Sequence, residues 1–330
     1  MDLKTEYLGL KLPHPIVVGA SPLTDELDMA RQLEDAGAAA LVMRSLFAEQ
    51  IVRENLRAYL REDDAQATRT ASTAFVLPSR AFVLSPDEYL EQLTALKGAL
   101  GIPVIASLNG SAPGKWLEYA PLLEAVGADA IELNLQPGGA EVTQSSADIE
   151  AALIETVHTV RATVKIPVAV KIPPCFSGLG VFAEGLQAAG ADALVLFYRT
   201  AAPDIDPNTL SSLPPLALSR ATELPLRLRW LAVLSGRLHI PLAATGGVHD
   251  EAAVIKALMA GARVVQMVSA ILARGPRHLR EVHRAMAAWM EKHGYESIAT
   301  LRGSMDLQAC PDAEGYERAT DIVALQRFPG

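Results

Sequence analysis

Four times in 330 residues the chain repeats one local pattern, a glycine among small residues followed within a few positions by a short apolar run. Asp35-Ala36-Gly37-Ala38 precedes Leu41-Val42-Met43, and Val126-Gly127-Ala128-Asp129 precedes Ile131-Glu132-Leu133. Ala189-Gly190-Ala191-Asp192 precedes Leu194-Val195-Leu196, and Ala260-Gly261-Ala262 precedes Val264-Val265. Each glycine stands where a helix C-terminus calls for a left-handed residue. Strands apolar on both faces belong to parallel sheets covered by helices. The spacing is too uneven for a solenoid, so the repeating unit is a strand followed by a helix.

Strands are expected near residues 16–21, 40–45, 103–109, 130–135, 167–173, 193–199, 241–247 and 264–270. Eight such units in one chain predict an α/β fold of the (β/α)8 TIM barrel type, with a doubly wound open sheet as the alternative. Residues 2–13 read as a short N-terminal β-hairpin or arm. Thr24 is placed to cap the next helix, and Ser85-Pro86-Asp87-Glu88 is a capping box. We expect one barrel over residues 1–294 and a C-terminal extension over 295–330 that the pattern does not place. The segments 46–84 and 200–228 exceed a normal strand-to-helix loop, and both follow strands, which puts them on the catalytic face of a barrel.

A formal charge of −9 argues against nucleic acid or an acidic membrane surface as a partner. Two cysteines, Cys175 and Cys310, give neither a disulfide framework nor zinc-ligand spacing. The N-terminus lacks the basic-then-apolar pattern of a signal peptide, and no apolar run reaches membrane-spanning length. A cytoplasmic protein is expected.

Residues at the C-terminal ends of barrel strands face the active site. Position alone selects Ala20-Ser21, Arg44-Ser45, Ser107 to Gly110, Glu132 to Gln136, Lys171, Phe197 to Arg199, Gly246-Gly247 and Ser269. Lys171 interrupts the apolar run Val168-Ala169-Val170-Lys171-Ile172. A lysine there requires an anion or a polar network, and pairing with Glu132 is the purely structural alternative. Asn109 and Asn134 each offer a donor and an acceptor, suited to a planar heterocycle, though both also suit turns. Gly246-Gly247 and Ser269 follow the seventh and eighth strands, the common phosphate site of this fold. No dinucleotide fingerprint, Walker loop or metal-ligand cluster accompanies them.

Taken together, Pro15-Ile16-Val17-Val18-Gly19-Ala20-Ser21, Ile131-Glu132-Leu133-Asn134-Leu135, Val170-Lys171-Ile172-Pro173-Pro174 and Thr245-Gly246-Gly247-Val248 with Ala260-Gly261-Ala262 form a recognisable set. The chain resembles the class 1 dihydroorotate dehydrogenases, FMN-dependent barrel enzymes of pyrimidine biosynthesis, from about Leu8 to Gly303. The resemblance implies that Ala20 and Ser21 lie against the flavin and that Lys171 contacts its ring. It implies that Asn134 reaches both flavin and substrate, and that Gly246, Gly247 and Ser269 hold the phosphate. Arg44 stands where the family usually has lysine, and Ser45 and Asn109 complete the expected FMN-binding set. A small anionic substrate, a redox partner protein and a homodimer are the corresponding expectations.

The sequence also departs from that family. Where the family reads Asn-x-Ser-Cys-Pro-Asn, with cysteine as base, the chain reads Asn134-Leu135-Gln136-Pro137-Gly138-Gly139. Leu77-Pro78-Ser79-Arg80 replaces a substrate-binding stretch after strand two, and Val268 replaces a glycine beside the phosphate. The titratable or hydroxyl groups on the expected face are Tyr198, Cys175 and Ser145 or Ser146. Tyr198 is preferred as base, because a phenol beside an arginine has a lowered pKa. Arg44, Arg80 and Arg199 are able to bind a carboxylate through two hydrogen bonds, or to pair with acids of the long loops. The expectation is an FMN-dependent oxidoreductase acting on a CH–CH group of a small anionic substrate. The alternatives are a flavin-binding subunit of a redox complex and a flavin-free, phosphate-binding barrel lyase or isomerase.

Overall fold

A computed structural model describes residues 1–51, 84–111, 114–137, 143–199, 204–207, 211–213, 217–308 and 310–327. Arg80 and most of the first long loop lie outside these residues. The chain opens with a hairpin of β1 (Thr5–Tyr7) and β2 (Leu10–Leu12), paired antiparallel with Tyr7 opposite Leu10. Leu8 and Gly9 at its turn both have positive φ, 55° and 69°, which matches the twist of a two-residue hairpin.

The parallel strands follow as β3 (Ile16–Val18), β4 (Leu41–Val42), β5 (Leu46–Phe47), β6 (Val104–Gly110), β7 (Ala130–Leu135), β8 (Val168–Ile172) and β9 (Ala193–Leu196). Two short strands, β10 (Asp204–Asp206) and β11 (Ser211–Leu213), form a separate hairpin inside the second long loop. The last two parallel strands are β12 (Leu242–Thr245) and β13 (Val264–Met267). Hydrogen bonding runs β4-β3-β13-β12-β9-β8-β7-β6-β5, and β4 also pairs with β6, so the sheet closes. β4 and β5 share one place beside β6, which leaves eight positions around a (β/α)8 TIM barrel. The expected strands are all present: β7 has the expected bounds, β6 is shifted by one residue, and the others are shorter by one to several residues at their ends.

The period of two along each strand divides the core. Ile131, Leu133, Val168, Val170, Leu194 and Leu196 belong to the layer between barrel and helices. Ile105, Ala130, Ala169, Ala193, Val195 and Ala243 form an inner cluster, joined by Tyr7, Leu8 and Leu12 of the hairpin. The hairpin therefore plugs one end of the barrel. Gly37, Gly127, Gly190 and Gly261, the four repeated glycines, have φ between +94° and +111° at the helix ends. That left-handed turn is what lets each helix drop straight into the next strand.

One local expectation needs correction. Thr24 does not cap a helix; it closes a 3-10 turn, Pro22–Thr24, and the helix Leu27–Asp35 begins after Glu26. The Thr24 hydroxyl instead donates to the Ser21 carbonyl and accepts from the Arg44 N–H, tying β3 to β4. The extension from 295 is also anchored in part. Ile298 and Leu301 are buried, and the N–H groups of Gly303 and Met305 donate to the carbonyls of Leu258 and Met259. Ser85 forms its capping box with Glu88 as expected. Among the described residues no helix is long and apolar enough to cross a membrane.

Candidate functional site

Inward-facing positions change character up the barrel. The hairpin end is apolar, but the next layer holds Ser107, Glu132, Lys171 and Gln266, all buried. Glu132 and Lys171 sit on neighbouring strands, with Asn134 opposite Lys171 in the register. Lys171 Nζ donates to Glu132 Oε1 at 3.1 Å and to Gln266 Oε1 at 3.5 Å. Gln266 Nε2 donates to the other Glu132 oxygen, so one amide ties both members of the ion pair together. A buried lysine and a buried glutamate thus satisfy each other, as bare charges in this interior would not.

The next layer is not satisfied. Asn109 and Asn134, neighbours in register, are buried, and Asn109 Nδ2 and Asn134 Oδ1 have no hydrogen-bond partner among the described residues. Leaving such groups unpaired costs about 1–3 kcal/mol each, so their free donor and acceptor mark a place for a polar ligand.

Above this layer opens a cavity of about 350 Å³. Ala20 and Ser21 enter it after β3, and Arg44 and Ser45 from the kink between β4 and β5. Asn134 and Lys171 reach it from β7 and β8, and Tyr198, Arg199, Gly246 and Ser269 from the ends of β9, β12 and β13. With Phe197, eleven of the residues selected by sequence therefore line one space. The kink is held by Tyr89, whose hydroxyl accepts from the Ser107 N–H at 2.9 Å and donates to its carbonyl. Ser45 and Ser107 join their hydroxyls at 2.7 Å across the gap.

One end of the cavity is built of small groups and hydroxyls. Gly246 and Gly247 have φ of +82° and +79°. A Cβ on Gly246 would lie 2.8 Å from Arg227 Nη2, and one on Gly247 would lie 2.6 Å from the Leu224 nitrogen. Only glycine fits either position. The Gly247 N–H donates to Ser219 Oγ at 3.2 Å, and the Ser219 N–H donates to Ser269 Oγ at 2.9 Å. Val268, the residue out of keeping with a phosphate cradle, is accommodated from across the strand. Its Cγ2 occupies the space a side chain on Gly19 would need, at 2.9 Å.

Several sequence candidates stand elsewhere. Asn109 and Gly247 do not line the cavity and support it from behind. Cys175 is exposed and outside it, and burial of the thiol pushes its pKa up, against a role as thiolate. Ser145 caps the helix Ser146–Thr163, giving its hydroxyl to Asp148 and accepting the Asp148 N–H, so that hydroxyl is occupied. Ser146 is the first residue of that helix. Arg44 is held by both oxygens of Asp25, and Arg199 by Glu223 and the Ala217 carbonyl. Both arginines line the cavity, Arg44 paired with Asp25 and Arg199 with a Glu223 that Arg227 also approaches.

Tyr198 is the titratable hydroxyl among those candidates that does reach the cavity, but the expected direction of its pKa is reversed. Burial raises it, and its hydroxyl lies 3.4 Å from Gln136 Oε1. The sequence neighbour Arg199 turns to Glu223, and no cation among the described residues offsets that burial. Sequence reasoning missed Gln266, Ser219 and Arg227. Gln266 carried a signal, as the single polar residue in Val264-Val265-Gln266-Met267-Val268. Ser219 and Arg227 lie in and after the second long loop, where no periodicity fixed their direction.

Comparison with known proteins decides the family. Residues 83–290 match the model of the family described as Dihydroorotate dehydrogenase. The chain belongs to the dihydroorotate dehydrogenase family. Similar proteins include the catalytic subunit of dihydroorotate dehydrogenase B (NAD(+)) from Methanosarcina acetivorans, 28% identical over 89% of this chain and 93% of that protein. A putative dihydroorotate dehydrogenase A (fumarate) from Aeropyrum pernix is 28% identical over 92% of this chain and 97% of its own length. The corresponding catalytic subunit from Pyrococcus furiosus is 25% identical over 92% and 98%. As a member of the dihydroorotate dehydrogenase family, the chain is an oxidoreductase of that type. Its cavity opens at the end of the barrel where the strands finish.

Proposed function

We propose that the chain is an FMN-dependent oxidoreductase that acts on a C–C bond of a small anionic substrate. The observation that carries this reading is Asn134 Oδ1, without a hydrogen-bond partner among the described residues, beside Lys171 in a cavity that Gly246 of the glycine turn also lines. A polar heterocycle and a phosphate, joined by a chain, suit those two places. FMN has that form, and when bound it supplies the hydride chemistry that side chains cannot.

The protein's own groups divide the remaining work. Lys171, fixed by Glu132 and Gln266, presents a positive charge to the heterocycle from a low-dielectric interior, where it counts for more than in water. Asn134 meets both heterocycle and substrate. Ser219, Ser269 and the glycine turn receive the phosphate. Arg44 and Arg199 stand at the cavity as the cations for a substrate carboxylate; Arg80, the third candidate, lies outside the described residues. Tyr198 holds its proton at neutral pH and so serves as proton donor to the substrate carbon, the role of an acid and not of a base.

Residues 1–294 are read as the catalytic unit. The relatives named as catalytic subunits support a redox partner protein, with a homodimer and a cytoplasmic location as accompanying expectations. The visible spectrum of the purified protein tests the cofactor. Flavin bands are expected, and a colourless protein that takes up no FMN would favour a barrel lyase or isomerase using the phosphate end for its substrate. Mixing the protein with dihydroorotate and fumarate is expected to give no turnover, since Gln136-Pro137 stands where a base is needed; robust orotate formation overturns that part.

A further inference from the structure

We propose that Arg227 is a positioning cation concealed behind the glycine turn, which makes the cavity select the phosphorylated flavin over its unphosphorylated form. The inference rests on the FMN reading above and concerns a residue outside the cavity lining.

Arg227 lies in the helix Leu224–Leu234 and is 5% exposed. Its Nε donates to the Thr245 carbonyl at 2.9 Å and its Nη1 to the Glu223 carbonyl at 2.8 Å. Nη2 lies against Gly246, at the place a side chain would fill, and 3.7 Å from Glu223 Oε2. Gly246 itself lines the cavity, so the guanidinium stands one glycine thickness behind its wall. A larger residue at 246 would both displace the arginine and insulate its charge.

Tying a helix to a strand end does not require a charge. An uncharged donor makes the same bond to Thr245 without the desolvation that a buried guanidinium suffers. The nearby acid does not neutralise the cluster either. Glu223 Oε2 is shared, at 3.4 Å from Arg199 Nε, and Glu223 Oε1 accepts the Arg220 N–H. Among the described residues, Arg199 and Arg227 against one Glu223 leave a positive charge unbalanced beside a part of the cavity lined by Ser219, Gly246 and Ser269, all uncharged. That excess is what an incoming dianion would balance. Charge across a thin, dry wall acts strongly, and it costs no rearrangement when the anion arrives.

The test uses the full chain stripped of flavin and titrated with FMN and with riboflavin, followed by flavin fluorescence. The unsubstituted protein is expected to bind FMN more tightly than riboflavin, with the preference shrinking as salt rises. Arg227→Gln keeps a donor for Thr245 and removes the charge. It is expected to weaken FMN binding by roughly tenfold or more, as loss of a charge interaction in a dry site does, and to leave riboflavin binding nearly unchanged. Arg227→Lys, which restores the charge, is expected to recover most of the preference. Equal weakening of both flavins, or an unchanged preference in Arg227→Gln, overturns the proposal and leaves the cofactor reading intact. Failure of the unsubstituted protein to bind either flavin overturns the cofactor reading, and this proposal with it. Should Arg227→Gln not fold, loss of the preference in Arg227→Lys is the overturning result.

Discussion

Lys171 Nζ lies 3.1 Å from Glu132 Oε1 inside the barrel, and Gln266 bridges the two from a third strand. Both charges are buried, so neither is replaceable by itself. Glu132→Gln is expected to leave the ammonium without its counter-charge and to cost about 3–5 kcal/mol of stability. Lys171→Met strands the carboxylate and is expected to cost a similar amount. The double variant Glu132→Gln, Lys171→Met removes both charges and should recover most of the loss. Urea unfolding of the four proteins measures the coupling, and additive losses would show that the pair acts independently.

The glycines that end the helices are not equivalent. Gly37 and Gly261 both hold left-handed φ, but a Cβ on Gly37 meets nothing within 4 Å, while one on Gly261 meets Ser235 Cβ at 2.3 Å. Gly37→Ala is expected to cost only the backbone strain, about 1 kcal/mol. Gly261→Ala adds a clash between packed elements, and is expected to cost about 2 kcal/mol or more. Thermal unfolding midpoints rank them, and equal midpoints would refute the distinction.

The repeated glycine ends carried the architecture because each is a local requirement. A left-handed cap followed by an apolar run is written in consecutive residues, and closing the sheet then follows from having eight units. Lys171 was legible for the same reason, as a charge in an otherwise apolar strand. Ser145 carried its real role in its own neighbourhood, since Ser145-x-x-Asp148 is a capping pattern like that at Ser85. What the sequence concealed were distant pairings. Arg199 follows Tyr198 in the chain, yet it turns to Glu223 and leaves the phenol to Gln136. Ser219 and Arg227 reach the glycine turn only through the path of a long loop and the helix after it, which no periodicity specifies.

His14 sets a pH dependence remote from the cavity. Its Nε2 donates to the Gly37 carbonyl at 2.8 Å and its Nδ1 accepts the Ile16 N–H, which fixes the neutral ring. Burial, and then the neighbouring His283, lower its pKa to about 4. Between the ordinary value near 6.5 and this one, the unfolded chain binds a proton that the folded chain refuses. Its contribution is therefore full above about pH 6.5, declines as pH falls, and is gone near pH 4, a loss on the order of 3 kcal/mol. His14→Gln, which keeps a donor for Gly37, should flatten stability between pH 7 and pH 4. Unfolding curves across that range check it, and an unchanged slope would assign the acid sensitivity to other groups.

On the proposed reading, Tyr198 sets which way proton transfer runs. Its hydroxyl lies 3.4 Å from Gln136 Oε1, and burial raises its pKa. A phenol so placed keeps its proton through neutral pH and has no cation among the described residues to hold a phenolate. It would suit reduction of an unsaturated acid, giving its proton to one substrate carbon where a bound flavin would supply the hydride chemistry. Tyr198→Phe is expected to retain flavin while slowing reoxidation of the photoreduced protein by α,β-unsaturated carboxylates roughly 10²-fold or more. The unsubstituted rate should stay level from neutral pH up to the ordinary phenol range and fall only above it, as the donor ionises. A rate that instead rises with pH through 7 to 9, or is untouched in Tyr198→Phe, would return the role to a base elsewhere on the cavity.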